Sequence, residues 1–287
     1  MADIYATPEA DLSQNIELDR AGGNIDDAVS GNFQVGMLQT LGEAWRGLKG
    51  FKLKCCIALA IYVVVFLGLA MLVGAVLAGI AFTGADEIAV GVLNMVLQVL
   101  VNLVMLPIGV SILVMAMRHA NGNPVSAGEI FRHFDVMLGL FLVYIYLTIL
   151  MVILGAGTAL IGGFVANGFL YAVPVAAVAG IYLMVAYTYA MPLVLEKKMG
   201  FWHALETSRR AITHAWFRFF GLMFLITLIN SLPLIVPGIF VALLNSSLAL
   251  VSLVVLVAWI WTVPWSILAM AMVYQKIFGV EAHTLSE

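Results

Sequence analysis

Charge is scarce in this sequence, and it is missing where lipid would make it most expensive. Only 10% of the 287 residues are Asp, Glu, Lys or Arg, and none of these, nor any His, falls in the central part of a long apolar run. Proton-coupled pumps and many ion-coupled carriers place an ionisable group at mid-membrane, so that mechanism is disfavoured. The apolar runs also hold no charged acid or base, no His-Glu-x-x-His stretch and no clear nucleophile with a paired histidine. The chain is therefore read as non-enzymatic and without a cofactor. Cysteine is nearly absent as well. Cys55 and Cys56 stand side by side at the mouth of the first run; they are a thiol pair or small packing residues. Neighbours rarely form a disulfide and metal sites want their ligand pairs further apart, which favours packing.

What fills the chain is apolar. Hydrophobic residues make up 63% of it and the mean hydropathy is +1.08, far more than one soluble core can bury, so the solvent is lipid. Six runs approach or exceed about 20 residues, the length that crosses a bilayer: 55–82, 88–117, 136–163, 170–195, 219–243 and 248–274. Lipid offers no partner for a free amide and no alternating barrel pattern is present, so all six are helices. Residues 1–35 hold seven carboxylates against Arg20 alone. That composition predicts a mobile acidic tail. No basic start followed by an apolar stretch marks an export signal, so the first membrane segment is expected to be kept.

The basic residues set the orientation. Arg46, Lys49, Lys52 and Lys54 precede the first run; Arg118 and Arg132 follow the second; Lys197, Lys198, Arg209, Arg210 and Arg218 follow the fourth; Lys276 follows the sixth. All lie on one side, while "TGADEI", "FVANGF" and "LNSSL" carry no Lys or Arg. The positive-inside rule then puts both termini in the cytoplasm. The expected architecture is all-α: a polytopic membrane protein of six transmembrane helices as three hairpins, with cytoplasmic amphipathic interfacial helices. A 36–275 membrane domain sits between the acidic tail and a 276–287 C-terminal tail. "SILVMAM" (111–117) and "SILAMAM" (266–272) each follow a proline, Pro107 or Pro264, and Met191–Pro192 marks the same zone of the fourth run. These matches suggest three parallel repeats, 36–117, 118–195 and 196–275.

The stretch "GFWHALETSRRAITHAWFRFF" (200–220) is amphipathic. At about 100° per residue, Phe201, Leu205, Ile212, Trp216 and Phe219 share one face, and His203, Glu206, Arg210 and His214 the opposite one. The economical reading is a helix resting among lipid headgroups, with weaker versions at "GMLQTLGEAWRGLKGF" and "SAGEIFRHF". Arg118, Arg132, Lys197, Lys198, Arg209 and Arg210 are then the candidate contacts to anionic headgroups. Glu206 is spaced to pair with Arg209 or Arg210. A metal on His203, Glu206 and His214 is disfavoured, since the histidines stand three turns, about 16 Å, apart.

Inside the spans, Asn94, Gln98 and Asn102 recur every four residues and line one side of the second run. They either lock that helix to a neighbour by hydrogen bonds or line a wet groove. Asn230 and Ser231 join them as a candidate intramembrane polar site, in a fifth run that Pro233 and Pro237 are expected to kink or break. Gly155, Ala159 and Gly163 have the spacing of a close helix contact, within the bundle or in a homo-oligomer.

At "YAMPLVLEKKMGFWHALETSRRA" (189–211) the sequence resembles the membrane domain attached to some bacterial glycerophosphodiester phosphodiesterases and found alone in related six-span inner-membrane proteins. A proline-kinked span, Glu196, Gly200–Phe201 and the run Ala204, Leu205, Ser208 carry the likeness, and "DIYATPEADL" is similar to the heads of several such proteins. The soluble catalytic barrel of the phosphodiesterases has no counterpart in this chain, so the resemblance implies the bacterial inner membrane and not hydrolysis. Two functions follow as expectations. One is a bundle that binds or passes a lipid-like or amphipathic small molecule. The other is a membrane scaffold that recruits protein partners through its cytoplasmic face. Its surroundings are the bilayer and its headgroups; nucleic acid is not expected.

Overall fold

The computed structural model describes residues 20–33, 35–165, 167–244 and 248–286, with side chains at all of these except 20, 21, 237–244, 248–254 and 286. Six helical stretches are long and apolar enough to cross a membrane. The helices are α1 (Ile25–Ser30), α2 (Met37–Gly47), α3 (Lys52–Phe82), α4 (Glu87–Ala120), α5 (Met137–Phe164), α6 (Gly168–Ala186), α7 (Ala190–Glu196), α8 (Phe201–Thr213), α9 (Trp216–Leu244), α10 (Leu248–Phe278) and α11 (Ala282–Ser286). A two-residue antiparallel ladder joins β1 (Arg20–Ala21) to β2 (Val280–Glu281). Consecutive long helices pack along one another: α3 on α4, α5 on α6, α9 on α10. Helix α10 also packs on α4 and α2.

The helices are longer than a bilayer needs. Asp86 and Glu87 at the turn between α3 and α4 require water, so the hydrocarbon begins beside them. About 20 residues cross its ~30 Å, which reaches Tyr62 on α3 and Pro107 on α4. The same count from Gly168 arrives at Tyr187–Tyr189, where the helix of the fourth span stops and α7 begins. Beyond these points the helices run on into the basic end of the molecule.

Burial follows that division. On α4 the buried residues run from Val101 to Arg118, with none from Glu87 to Leu100. On α3 they are Cys55 and Ala58 at the basic end and then Val73 alone. Six of the seven residues of α7 are buried. On α9 the described buried residues are Phe219, Leu222 and Ile226. The chain is thus welded at its basic end, while the described side chains toward its turn end are mostly exposed or half-buried. Lipid tails are as apolar as leucine, so nothing drives those outer surfaces together.

The weld is aromatic and polar at once. Tyr189 lies edge-on to Tyr274 (5.6 Å), Phe278 (5.9 Å) and Phe219 (6.3 Å), all four rings buried. Glu196, fully buried, accepts from the Tyr274 hydroxyl at 2.8 Å and from the Glu281 backbone N–H at 2.7 Å. Lys197 bridges Glu196 (3.5 Å) and Glu281 (3.0 Å). Nearby, Arg118 donates to Glu129 at 3.0 Å, and Glu129 closes a capping box with Ser126. Gln275 donates to Asn121 at 2.7 Å, and Lys276 to Thr40 and Glu43. The bonds from Tyr274 and Glu281 to Glu196, from Lys197 to Glu281, from Gln275 to Asn121 and from Lys276 to Thr40 and Glu43 join distant parts of the chain.

Four expectations from sequence need correction. Residues 20–33 are ordered, although the acidic tail was expected to extend to 35: the Gly23 N–H donates to the Gln275 carbonyl at 2.9 Å, and α1 buries Ala28 against α8 and α10. A Cβ at Gly23 would meet the Ile277 carbonyl oxygen at 2.3 Å, and one at Gly279 the Gly23 oxygen at 2.2 Å, so both must be glycine. The carboxylates of residues 1–19 lie outside the described residues. Helix α9 continues through Pro233 without a break, while the span already expected to be kinked by proline breaks at Tyr187–Tyr189, just before Pro192, where the Ser208 hydroxyl donates to the freed Ala186 carbonyl at 2.9 Å. Helix α8 turns its apolar face, Leu205, Ala211 and Ile212 included, onto protein, so that face does not rest on headgroups. "SAGEIFRHF" is short 3-10 helix (Ala127–Phe131), with Ile130 buried, rather than an amphipathic α-helix.

Because Glu196 is buried with its partners fixed, Glu196→Ala leaves the Tyr274 hydroxyl and the Glu281 N–H without their acceptor, while Lys197 keeps Glu281. The expected loss is about 2–5 kcal/mol for two unsatisfied buried donors, measured as a lowered melting temperature of the purified protein in detergent, with Glu196→Gln losing less.

Candidate functional site

Between the pairs α3–α4 and α9–α10 the helices leave a cavity of about 430 Å³. Leu59 and Tyr62 of α3, Gly109 and Ile112 of α4, Ile226 of α9 and Ser266 of α10 form its wall. Glycine at 109 makes the room, since a Cβ there would already touch Tyr62 at 3.5 Å. The wall is aliphatic apart from two hydroxyls. Ser266 spends its own on the Val263 carbonyl at 2.8 Å. On α4 its lining begins at Gly109, two residues past Pro107.

One turn nearer the turn end stand two buried polar atoms with no hydrogen-bond partner, Asn230 Oδ1 and Thr262 Oγ1. Asn230 donates its Nδ2 to its own Ile226 carbonyl at 3.0 Å, and its backbone carbonyl accepts from Trp259 Nε1 at 3.0 Å. Ser231 bonds back to Leu228 at 3.0 Å. The α4 amides behave differently. Asn102 bonds to the Gln98 carbonyl at 2.9 Å, while Asn94 and Gln98 are exposed. Their direction is informative. At 100° per residue, Asn94 and Gln98 lie within about 60° of Val101, Met105 and Ile112, which are buried further along the same helix. That face is buried from Val101 onward and exposed at Asn94 and Gln98. Among the described residues no hydrogen bond joins these amides to Asn230 or Ser231, so the five candidates form two groups.

The candidate headgroup cations also divide. Arg118 and Lys197 are buried in the ion pairs of the welded end, Lys197 with 3% of its side chain exposed, and they are not contacts for a headgroup. Burial without a partner would be prohibitive, which is why both are paired. Arg132 is exposed. Lys198 keeps 55% of its side chain exposed beside Asp135, and Arg210 keeps 57% beside Glu206. Glu206 accepts two bonds from Arg209 (2.9 and 2.8 Å) and one from Arg210 (2.6 Å). These guanidinium bonds hold its carboxyl down at about 2. His214 is committed to the Val29 carbonyl at 3.0 Å. A Cβ added at Gly155 or Gly163 would meet nothing within 4 Å among the described residues, so that small-residue face makes no close helix contact there.

No family model, curated protein or solved structure matches this chain. Sequence reasoning missed Tyr62, Gly109 and Thr262, which no local pattern marks. Ser266 carried a signal, as the first residue of the repeated "SILAMAM".

A depressed Glu206 pKa makes its contribution to stability present above the unfolded value of 4.5 and lost as pH falls towards 2. The expected result is a small melting-temperature gap between wild type and Glu206→Gln at neutral pH that closes across that acid window.

Proposed function

We propose that this multi-pass membrane protein is a non-enzymatic bundle that holds an amphipathic, lipid-like molecule in the cavity between α3, α4, α9 and α10. The observation that carries the reading is a cavity walled by aliphatic side chains and Tyr62 between four of the long apolar helices. In this reading the six spans form three hairpins, and the basic end with both termini faces the cytoplasm of a bacterial inner membrane. The one-sided distribution of lysine and arginine supports that orientation. Arg132, Lys198 and Arg210 then stand where anionic headgroups gather. The resemblance to the phosphodiesterase membrane domain, without its barrel, is consistent with a module whose work is done within the bilayer.

A second reading has one observation in its favour. Between α1 and α8 a cleft of about 530 Å³, lined by Asp26, His203, Glu206 and Arg210, opens at the basic end and would suit a protein partner. A stoichiometric partner copurifying from native membranes supports that scaffold role.

For the first reading, the expected result is that lipid extract raises the melting temperature of the detergent-solubilised protein and that Gly109→Leu, which fills the cavity, abolishes the rise. Single cysteines at Asn94 and Gln98, with Cys55 and Cys56 replaced, should react with a water-soluble thiol reagent. An unchanged lipid response in Gly109→Leu contradicts the reading.

A further inference from the structure

We infer that the elbow between α2 and α3 holds the phosphate of an anionic phospholipid, whose chains lie along α3 and α10. This site is separate from the cavity between α3, α4, α9 and α10, and it uses none of the cations singled out from the sequence as headgroup contacts. Where α2 ends and α3 begins, a cleft of about 380 Å³ opens against α10. Arg46, Lys49 and Lys52 line it together with the rings of Trp45 and Trp261, and among the described residues no Asp or Glu does. The acid of α2, Glu43, already accepts from Lys276 and, at 2.9 Å, from Gln39. The wall thus carries three cations and no carboxylate to answer them. Arg46 and Lys49 are exposed, so the cleft is open to a ligand.

The cleft is held in shape from α10. Trp265 Nε1 donates to the Leu41 carbonyl at 3.1 Å and Lys276 donates to Thr40 at 2.9 Å, which pins α2 in place. Trp45 lies edge-on to Trp265 and tilted against Trp261, both at 6.4 Å. Gly50 makes the elbow at a φ of 84°, a conformation glycine adopts without strain. Lys52 Nζ stands 3.3 Å from the centroid of the Trp261 ring, which holds the ammonium at the cleft and leaves N–H groups for an oxygen acceptor.

The surroundings of the cations select a lipid over a soluble anion. Leu53, Ile57 and Val64 share one face of α3, and Val257 and Trp261 one face of α10; all five are exposed. No Asp, Glu, Lys or Arg follows Lys54 on α3 up to its end at Phe82. Exposed apolar faces on helices of membrane-crossing length lie against lipid chains, while the three cations need water or a counter-charge. The cleft is where these two demands meet, and tryptophan favours that boundary. Basic pockets between membrane helices take phospholipid heads. A soluble phosphate would meet the cations and leave the apolar faces unused.

The test titrates phosphatidylglycerol, and separately phosphatidylcholine, into the full-length protein in a neutral detergent and counts bound lipid by native mass spectrometry. Phosphatidylglycerol should bind saturably and about tenfold more tightly than phosphatidylcholine. Arg46→Gln with Lys49→Gln should weaken that binding about thirtyfold. Lys49→Arg should retain it, and Arg218→Gln, which removes an exposed cation elsewhere on the basic end, should leave it unchanged. Equal affinity for phosphatidylcholine overturns the inference, as does binding that survives the double substitution or falls equally in Arg218→Gln. Displacement of the lipid by glycerol 3-phosphate overturns the lipid as the source of the phosphate. Gly109→Leu should not alter the titration; loss of binding there would move the lipid to the cavity, overturning this site while the cavity reading stands.

Discussion

A carboxylate with no water around it organises this molecule. Glu196 sits at the end of α7 with the Tyr274 hydroxyl on one oxygen and the Glu281 amide on the other, and Lys197 closes the charge. An unpaired carboxylate so deeply buried would be untenable. The C-terminal strand, the last turns of α10 and the short helix α7 must therefore arrive together. Around this point gather the aromatic rings of Tyr189, Tyr274 and Phe278, and onto it the N-terminal strand is strapped through β2. The result is a polar and aromatic platform built from helix ends that overrun the bilayer.

Against that platform the membrane portion is loosely joined. Each long helix packs along its sequence neighbour, yet α4 buries nothing between Glu87 and Leu100. The cavity lies between the pairs α3–α4 and α9–α10, beside the part of α4 that is buried from Val101 onward.

Which features the sequence disclosed depends on how far apart their causes lie along the chain. The six spans were legible because hydropathy is local, and the Glu206 pairs because residues three and four apart meet on any helix. Arg118 with Glu129, and Glu196 with Tyr274, were not legible: two of the lysines and arginines that looked like headgroup contacts are held inside by acids eleven or more residues away, or across the fold. The amide stripe was visible as a stripe, but the side it faces is set by Val101, Met105 and Ile112, whose burial only neighbouring helices decide. Proline was half legible. Pro233 sits in a helix that continues unbroken, while the helix ahead of Pro192, where a kink was expected, stops, and the Ser208 hydroxyl of α8 donates to the loose Ala186 carbonyl.

The account stands or falls on the contrast between the two ends. Pairs of spin labels measure it most directly, with Cys55 and Cys56 replaced and the protein in lipid nanodiscs. One pair belongs at Lys49 and Arg210 on the platform; the other at Phe82 and Phe164, 91% and 86% exposed at the turn end. A narrow distance distribution for the first pair and a broad one for the second is the predicted result. Equally narrow distributions at both ends, or a broad one on the platform, would contradict it.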